Sequence, residues 1–168
     1  KSLGLGMAAG RRRTTVVARA RLKAFAARKH CFWKLRRAGL KPDKVLRTGG
    51  TAGMTYGQAT GVSPSMLLKQ RQAVAAASAP SGEGGKPNID LALMLLDGSP
   101  KGRADPAFEA QQPICNWSRA VWHQWLPAES MATTVAKIRD RMHGRSKIWA
   151  MVAGPAAALI ALSPRSTN

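Results

Sequence analysis

Acidic residues are what this 168-residue sequence has least of: 8 Asp and Glu stand against 27 Lys and Arg, a formal net charge of +19. The eight acids are scattered and never adjacent, and Asp105 and Glu109 form the one pair spaced four residues apart. Two-metal phosphoryl transfer needs clustered carboxylates to hold its ions, so that chemistry has no obvious ligand set here. Cysteine is scarce as well. Cys31 and Cys115 lack partner motifs, which argues against a disulfide framework or a zinc site and points to a reducing compartment. Three histidines, His30, His123 and His143, have no Ser or Cys in a nucleophile elbow near them, and His30 beside Cys31 has no further ligands at metal spacing. Neither a catalytic centre nor a cofactor is expected.

Long apolar runs are missing too. Leu3 to Gly10 is too short and Gly-rich for a secretory core, and three arginines follow it. The tail Ile148 to Leu162 is broken by Gly154-Pro155 and falls short of the ~20 residues that cross a bilayer, so a packed helix pair is expected. The sequence opens at Lys1, which suggests a piece or a processed product of a longer chain, and the Arg-rich, acid-free residues 1–37 leave an organellar transit peptide open.

What is present is positive charge at one end. Residues 1–47 hold fifteen Lys and Arg against Asp43 alone, a net of +14, while the other 121 residues net +5. Self-repulsion of that size disfavours a compact chain unless an anion neutralises it, and phosphate backbones are the commonest such partner.

Nearly every periodic segment reads as helix and none alternates as a strand would, so the fold expected is all-α: a small irregular helical domain with a basic N-terminal helix and a Gly-rich loop. Its parts are a basic arm and helix over 1–47, a Gly-rich loop plus helix over 48–78, a flexible linker over 79–87, a helical body over 88–162 and a tail over 163–168. In the first helix, about Thr15 to Ala38, the apolar Leu22, Phe25, Ala26, Phe32 and Trp33 share one face. Arg19, Lys23, His30, Lys34 and Arg37 share a neighbouring face, and Gly39 offers a left-handed stop. Lys41 to Lys44 then reads as a turn. The five glycines between Thr48 and Gly61 imply positive φ or close approach to another group.

Ser63-Pro64, Asn88, Asp105-Pro106 and Ser130 read as helix starts. Pro113 is expected to begin a fresh helix with Ile114, Trp117, Val121, Trp122 and Trp125 on one face. Met131, Val135, Ile138 and Met142 form the next apolar stripe, with Gly144 as its stop. No fixed-period repeat appears among these segments.

The basic face, flanked by Arg11, Arg12 and Arg13 before it and Lys41, Lys44 and Arg47 after it, is the leading candidate site. A charge run is often a merely solvated face, but here no acid is interleaved, and like charges at helical spacing destabilise a free helix. Phosphate binding therefore stands ahead of a solvated face, a targeting signal or a membrane surface. The aromatics Phe25, Phe32 and Trp33 fit a core better than a base-stacking surface. Gly4 to Ala9 matches a loose dinucleotide pattern without a preceding strand. Thr48 to Gly53 lacks the Gly-Lys-Ser/Thr of a phosphate loop, although it could still present backbone amides to a phosphate. Asn116-Trp117-Ser118 is taken as a chance glycosylation motif inside an amphipathic helix.

The run Lys44-Val45-Leu46-Arg47-Thr48-Gly49, then Thr55-Tyr56-Gly57-Gln58-Ala59-Thr60-Gly61, then Leu67 and Arg71 on an Ala-rich helix, resembles the region just downstream of the palm in non-LTR, LINE-type reverse transcriptases. Asp105-Pro106-Ala107 with Ile114, Trp117, Val121 and Trp122 after it is similar to the next segment in some of those reading frames; together they cover residues 44–126. The resemblance implies a helical thumb and connector that grips a template-primer duplex by its backbone, with Tyr56 and Gly57 structural or template-proximal. The paired aspartates of that family's Tyr-x-Asp-Asp strand have no counterpart here, so no catalytic residue is implied. The partner expected is RNA or an RNA-DNA hybrid, within a retroelement polymerase or, alternatively, a structural ribonucleoprotein such as an organellar ribosome; a membrane-associated subunit is the remaining alternative.

Overall fold

A computed structural model of the chain describes residues 14–58, 61–78, 88–97, 104–125, 127–142 and 154–162. The fold is all-α, and no strand forms among these residues. The helices are α1 (Val16–Arg37), α2 (Asp43–Val45), a π-helix (Leu46–Thr51), α3 (Ala52–Thr55), α4 (Pro64–Ser78), α5 (Ile89–Asp97), α6 (Pro106–Trp122), α7 (Ala128–Met142) and α8 (Gly154–Leu162). Arg11 to Arg13, the Gly4 to Ala9 pattern, the linker 79–87, Gly144, residues 148–153 and the tail 163–168 lie outside the described residues.

The helix starts carry their expected chemistry at three places. Ser63 Oγ accepts from Met66 N at 3.2 Å, Asn88 Oδ1 from Leu91 N at 3.0 Å and Asp105 Oδ1 from Ala107 N at 2.9 Å. Gly39 ends α1 at φ 76°, in the left-handed region that a Cβ disfavours. Ser130 is not a cap. It lies inside α7, where its Oγ donates to Pro127 O at 2.7 Å.

Two larger departures have a common physical cause. Lys41 to Thr55 is expected as turn and loop, but the chain is helical from Asp43 to Thr55. Leu46 and Met54 are buried with Phe25 and Phe32 of α1, and this packing outweighs the poor helix propensity of Gly49, Gly50 and Gly53. Gly50 is where the helix meets the two rings. A Cβ there would lie 3.1 Å from Phe25 Cε2, 3.1 Å from Phe32 Cζ and 3.2 Å from Leu46 Cδ1. Close approach thus explains Gly50, and positive φ explains Gly57 and Gly61.

Pro113, expected to start a new helix, lies within α6 instead. A proline removes one backbone hydrogen bond and crowds the preceding turn, at about 3 kcal/mol in a free helix. Here α6 packs along α8 and against α4, and that contact carries it through. The face assigned to α6 is corrected as well: Ile114, Trp117 and Val121 are half-buried, whereas Trp122 and Trp125 stand in solvent.

The core has two connected parts. One joins Phe25 and Phe32 to Leu46, Met54, Val74, Leu93 and Leu96. The other joins Val62, Met66, Leu67 and Ala110, with Ala18, Leu22 and Leu162 packed on it. Among the described residues no helix is long and apolar enough to cross a membrane.

Candidate nucleic-acid interface

Helix α1 holds eight Lys and Arg and no acid. Phe25 and Phe32, with ring centroids 6.0 Å apart, anchor its buried face, and Leu22 packs beside them; Ala26, expected on that face, is exposed. Trp33 is fastened to α4 by Nε1, which donates to Ala76 O at 3.2 Å, and Lys29 Nζ covers its ring at 4.5 Å from the centroid. Phe25 and Phe32 are therefore core residues and Trp33 is an inter-helix tie.

With that face fixed inward, the basic stripe is fixed outward. Arg19, Lys23, His30, Lys34 and Arg37 are all exposed. At about 100° per residue they fall within an arc of roughly 60°, and at about 1.5 Å per residue they run roughly 27 Å along the helix. Among the described residues no carboxylate pairs with Arg19, Lys23, Lys34 or Arg37. Lys41 and Lys44 are exposed just beyond the end of α1.

His30 is more engaged than its neighbours. Its Nδ1 lies 2.9 Å from Ala27 O and its Nε2 3.5 Å from Cys31 Sγ. A carbonyl only accepts, so Nδ1 carries the proton toward Ala27, and in the neutral ring Nε2 accepts from the thiol.

Two expected contributors stand apart from the stripe. Arg47 is half-buried and its Nη1 donates to Leu96 O at 3.3 Å, tying the π-helix to the end of α5. Tyr56 is exposed, but Arg21 lies over its ring at 5.1 Å and donates to its carbonyl oxygen. On the helical wheel Arg21 falls nearly opposite the stripe, at about 100° per residue, so Tyr56 sits on the far side of α1. Arg11, Arg12 and Arg13 lie outside the described residues. The amides of Gly49 to Gly53 are enclosed in helix rather than offered by an open loop.

Sequence reasoning did not find the ionic hub that joins α4, α5 and the start of α6. Arg71 of α4 pairs with Asp105 at the start of α6 and with Asp90 in α5. Burial works against the Arg71 charge, but the hydrogen bonds and charges of Asp105 and then Asp90 outweigh it and hold its pKa above the ordinary value. No local pattern announces such a hub, because its three members come from separate helices.

Among the described residues no three His, Cys, Asp or Glu side chains come together as metal ligands would. No protein-family model, curated protein or solved structure matches the chain. The geometry offers an outward row of cations on a helix whose opposite face is packed through Phe25 and Phe32, suited to binding a row of phosphates.

Proposed function

We propose that the chain binds nucleic acid, RNA or an RNA-DNA hybrid, by gripping the phosphate backbone along α1, as a non-catalytic accessory region of a retroelement-type polymerase. The observation that carries the binding part is the exposed, carboxylate-free row Arg19, Lys23, Lys34 and Arg37, which α1 holds outward by burying Phe25 and Phe32. Like charges so spaced destabilise a helix on its own, and a polyanion relieves that cost. The polymerase part rests on the resemblance of residues 44–126 to the region after the palm of LINE-type reverse transcriptases.

The test is a titration of the chain against a labelled RNA-DNA hybrid, single-stranded RNA and duplex DNA at several salt concentrations. Binding should weaken linearly in log[salt], and each of Arg19→Ala, Lys23→Ala, Lys34→Ala and Arg37→Ala should lower the slope by about one. A preference for the hybrid supports the polymerase assignment; equal binding to single-stranded RNA without it favours a ribonucleoprotein component. Absence of binding at low salt overturns the reading.

A further inference from the structure

The end of α6 has a construction that the basic stripe does not explain. His123 N donates to Arg119 O at 3.0 Å, Gln124 N to Val121 O at 2.9 Å and Trp125 N to Ala120 O at 2.8 Å. This closes the helix in a Schellman turn. Gln124 occupies its left-handed position at φ 59°, the sole non-glycine there among the described residues. The turn leaves a tryptophan exposed on either side: Trp122 is 84% exposed and Trp125 is 72% exposed.

Tryptophan is among the costliest residues to leave in water, since each ring can bury some 150–250 Å². Two such rings stand exposed within four residues of each other, and together they offer roughly 300–500 Å² of aromatic surface to a partner. Trp125 is also pre-positioned. The His123 imidazole stacks on it with centroids 5.3 Å apart and planes 26° apart, which backs the indole with a second ring. The basic residue in the last turn of α6 is Arg119, and no acid lies there. Flat π-faces beside a cation in a chain of charge +19 complement a polyanion whose units carry flat π-faces of their own.

We propose that Trp122 and Trp125, the latter backed by His123, form a stacking platform for unpaired bases of a single-stranded nucleic acid. The inference rests on the proposed nucleic-acid binding but assigns a different contact: bases rather than phosphates, at the end of α6 rather than along α1. An aliphatic protein partner would find a better match on α5, where Leu91, Met94 and Leu95 are exposed.

The experiment compares two RNA oligonucleotides of equal length and charge, one intact and one fully abasic. Each is titrated into the wild-type chain, the Trp122→Ala/Trp125→Ala variant and the Trp122→Phe/Trp125→Phe variant at two salt concentrations. The intact strand should bind the wild type about tenfold or more tightly per stacked base than the abasic strand. Double alanine substitution should erase that difference and leave the salt slope unchanged, and the Phe variant should restore part of it. Matched helicity and thermal midpoints confirm that the exposed rings were removed without loss of fold. If the abasic strand binds as well as the intact one, or the alanine variant keeps the full preference, the platform is overturned while backbone gripping stands. If neither strand binds at low salt, both readings fall together.

Discussion

Arg71 Nε donates to both carboxylate oxygens of Asp105 at 3.0 Å, and the same Asp105 Oδ1 caps α6 by accepting from Ala107 N. One carboxylate therefore starts one helix and fastens it to another, while Asp90 adds α5 from the solvent side. Arg71→Ala should lower stability by about 2 kcal/mol, between the values for exposed and fully buried ion pairs. Arg71→Lys should recover little of it, because an ammonium cannot span both oxygens. Asp90→Asn should cost less than about 0.5 kcal/mol, since that carboxylate is mostly exposed. Urea midpoints for the three variants check the ranking, and equal losses for Arg71→Ala and Asp90→Asn would refute it.

Gly50 and Gly53 should respond to alanine in opposite directions. At Gly50 the new methyl would press on Phe25, Phe32 and Leu46, and overpacking of about 1–3 kcal/mol should exceed the ~1 kcal/mol gain in helix propensity. At Gly53 a Cβ meets nothing within 4 Å, so the propensity gain stands alone. Thermal midpoints should fall for Gly50→Ala and rise for Gly53→Ala; a rise in both would mean that the rings move aside.

The buried glutamine pair gives a third expectation. Gln58 Nε2 donates to Gln70 Oε1 inside the core, while Gln58 Oε1 and Gln70 Nε2 have no hydrogen-bond partner among the described residues. Removing one member alone, as in Gln58→Met, strands the other and should cost about 1–3 kcal/mol. Replacing both with Met keeps the volume and removes every orphaned amide, so the double variant should be more stable than either single one. A double-mutant cycle from denaturant unfolding reads this directly, and additive losses would count against it.

Legibility in the sequence tracks the range of the forces involved. Caps at Ser63, Asn88 and Asp105 act within three residues, so their residue types suffice to place them. The outward stripe of α1 was equally readable, because a single helix fixes which residues share a face. Helix across Gly49, Gly50 and Gly53 was not, since contacts with Phe25 and Phe32, far back in the chain, decide it. The same applies to Pro113, held in α6 by packing against α8 and α4, and to Arg71, whose partners lie 19 and 34 residues away. Trp122, expected on one face with Ile114, Trp117 and Val121, sits at the edge of that face by helical register and stands in solvent.

Arg21 separates charge that grips from charge that braces. It belongs to the same acid-free helix as Arg19 and Lys23, yet it lies over the Tyr56 ring and donates to the Tyr56 carbonyl. A cation held this way is committed to its own chain, and the ring contact and hydrogen bond together contribute about 1 kcal/mol. Arg21→Ala should therefore lower stability by roughly that amount and leave the salt slope of nucleic-acid binding unchanged. Arg19→Ala should do the reverse, lowering the slope by about one with little effect on folding. Both variants remove one positive charge, so net charge alone would make them equal in binding. A shared loss of slope would show that affinity follows total charge, and a loss confined to Arg19 would place the contact on the stripe.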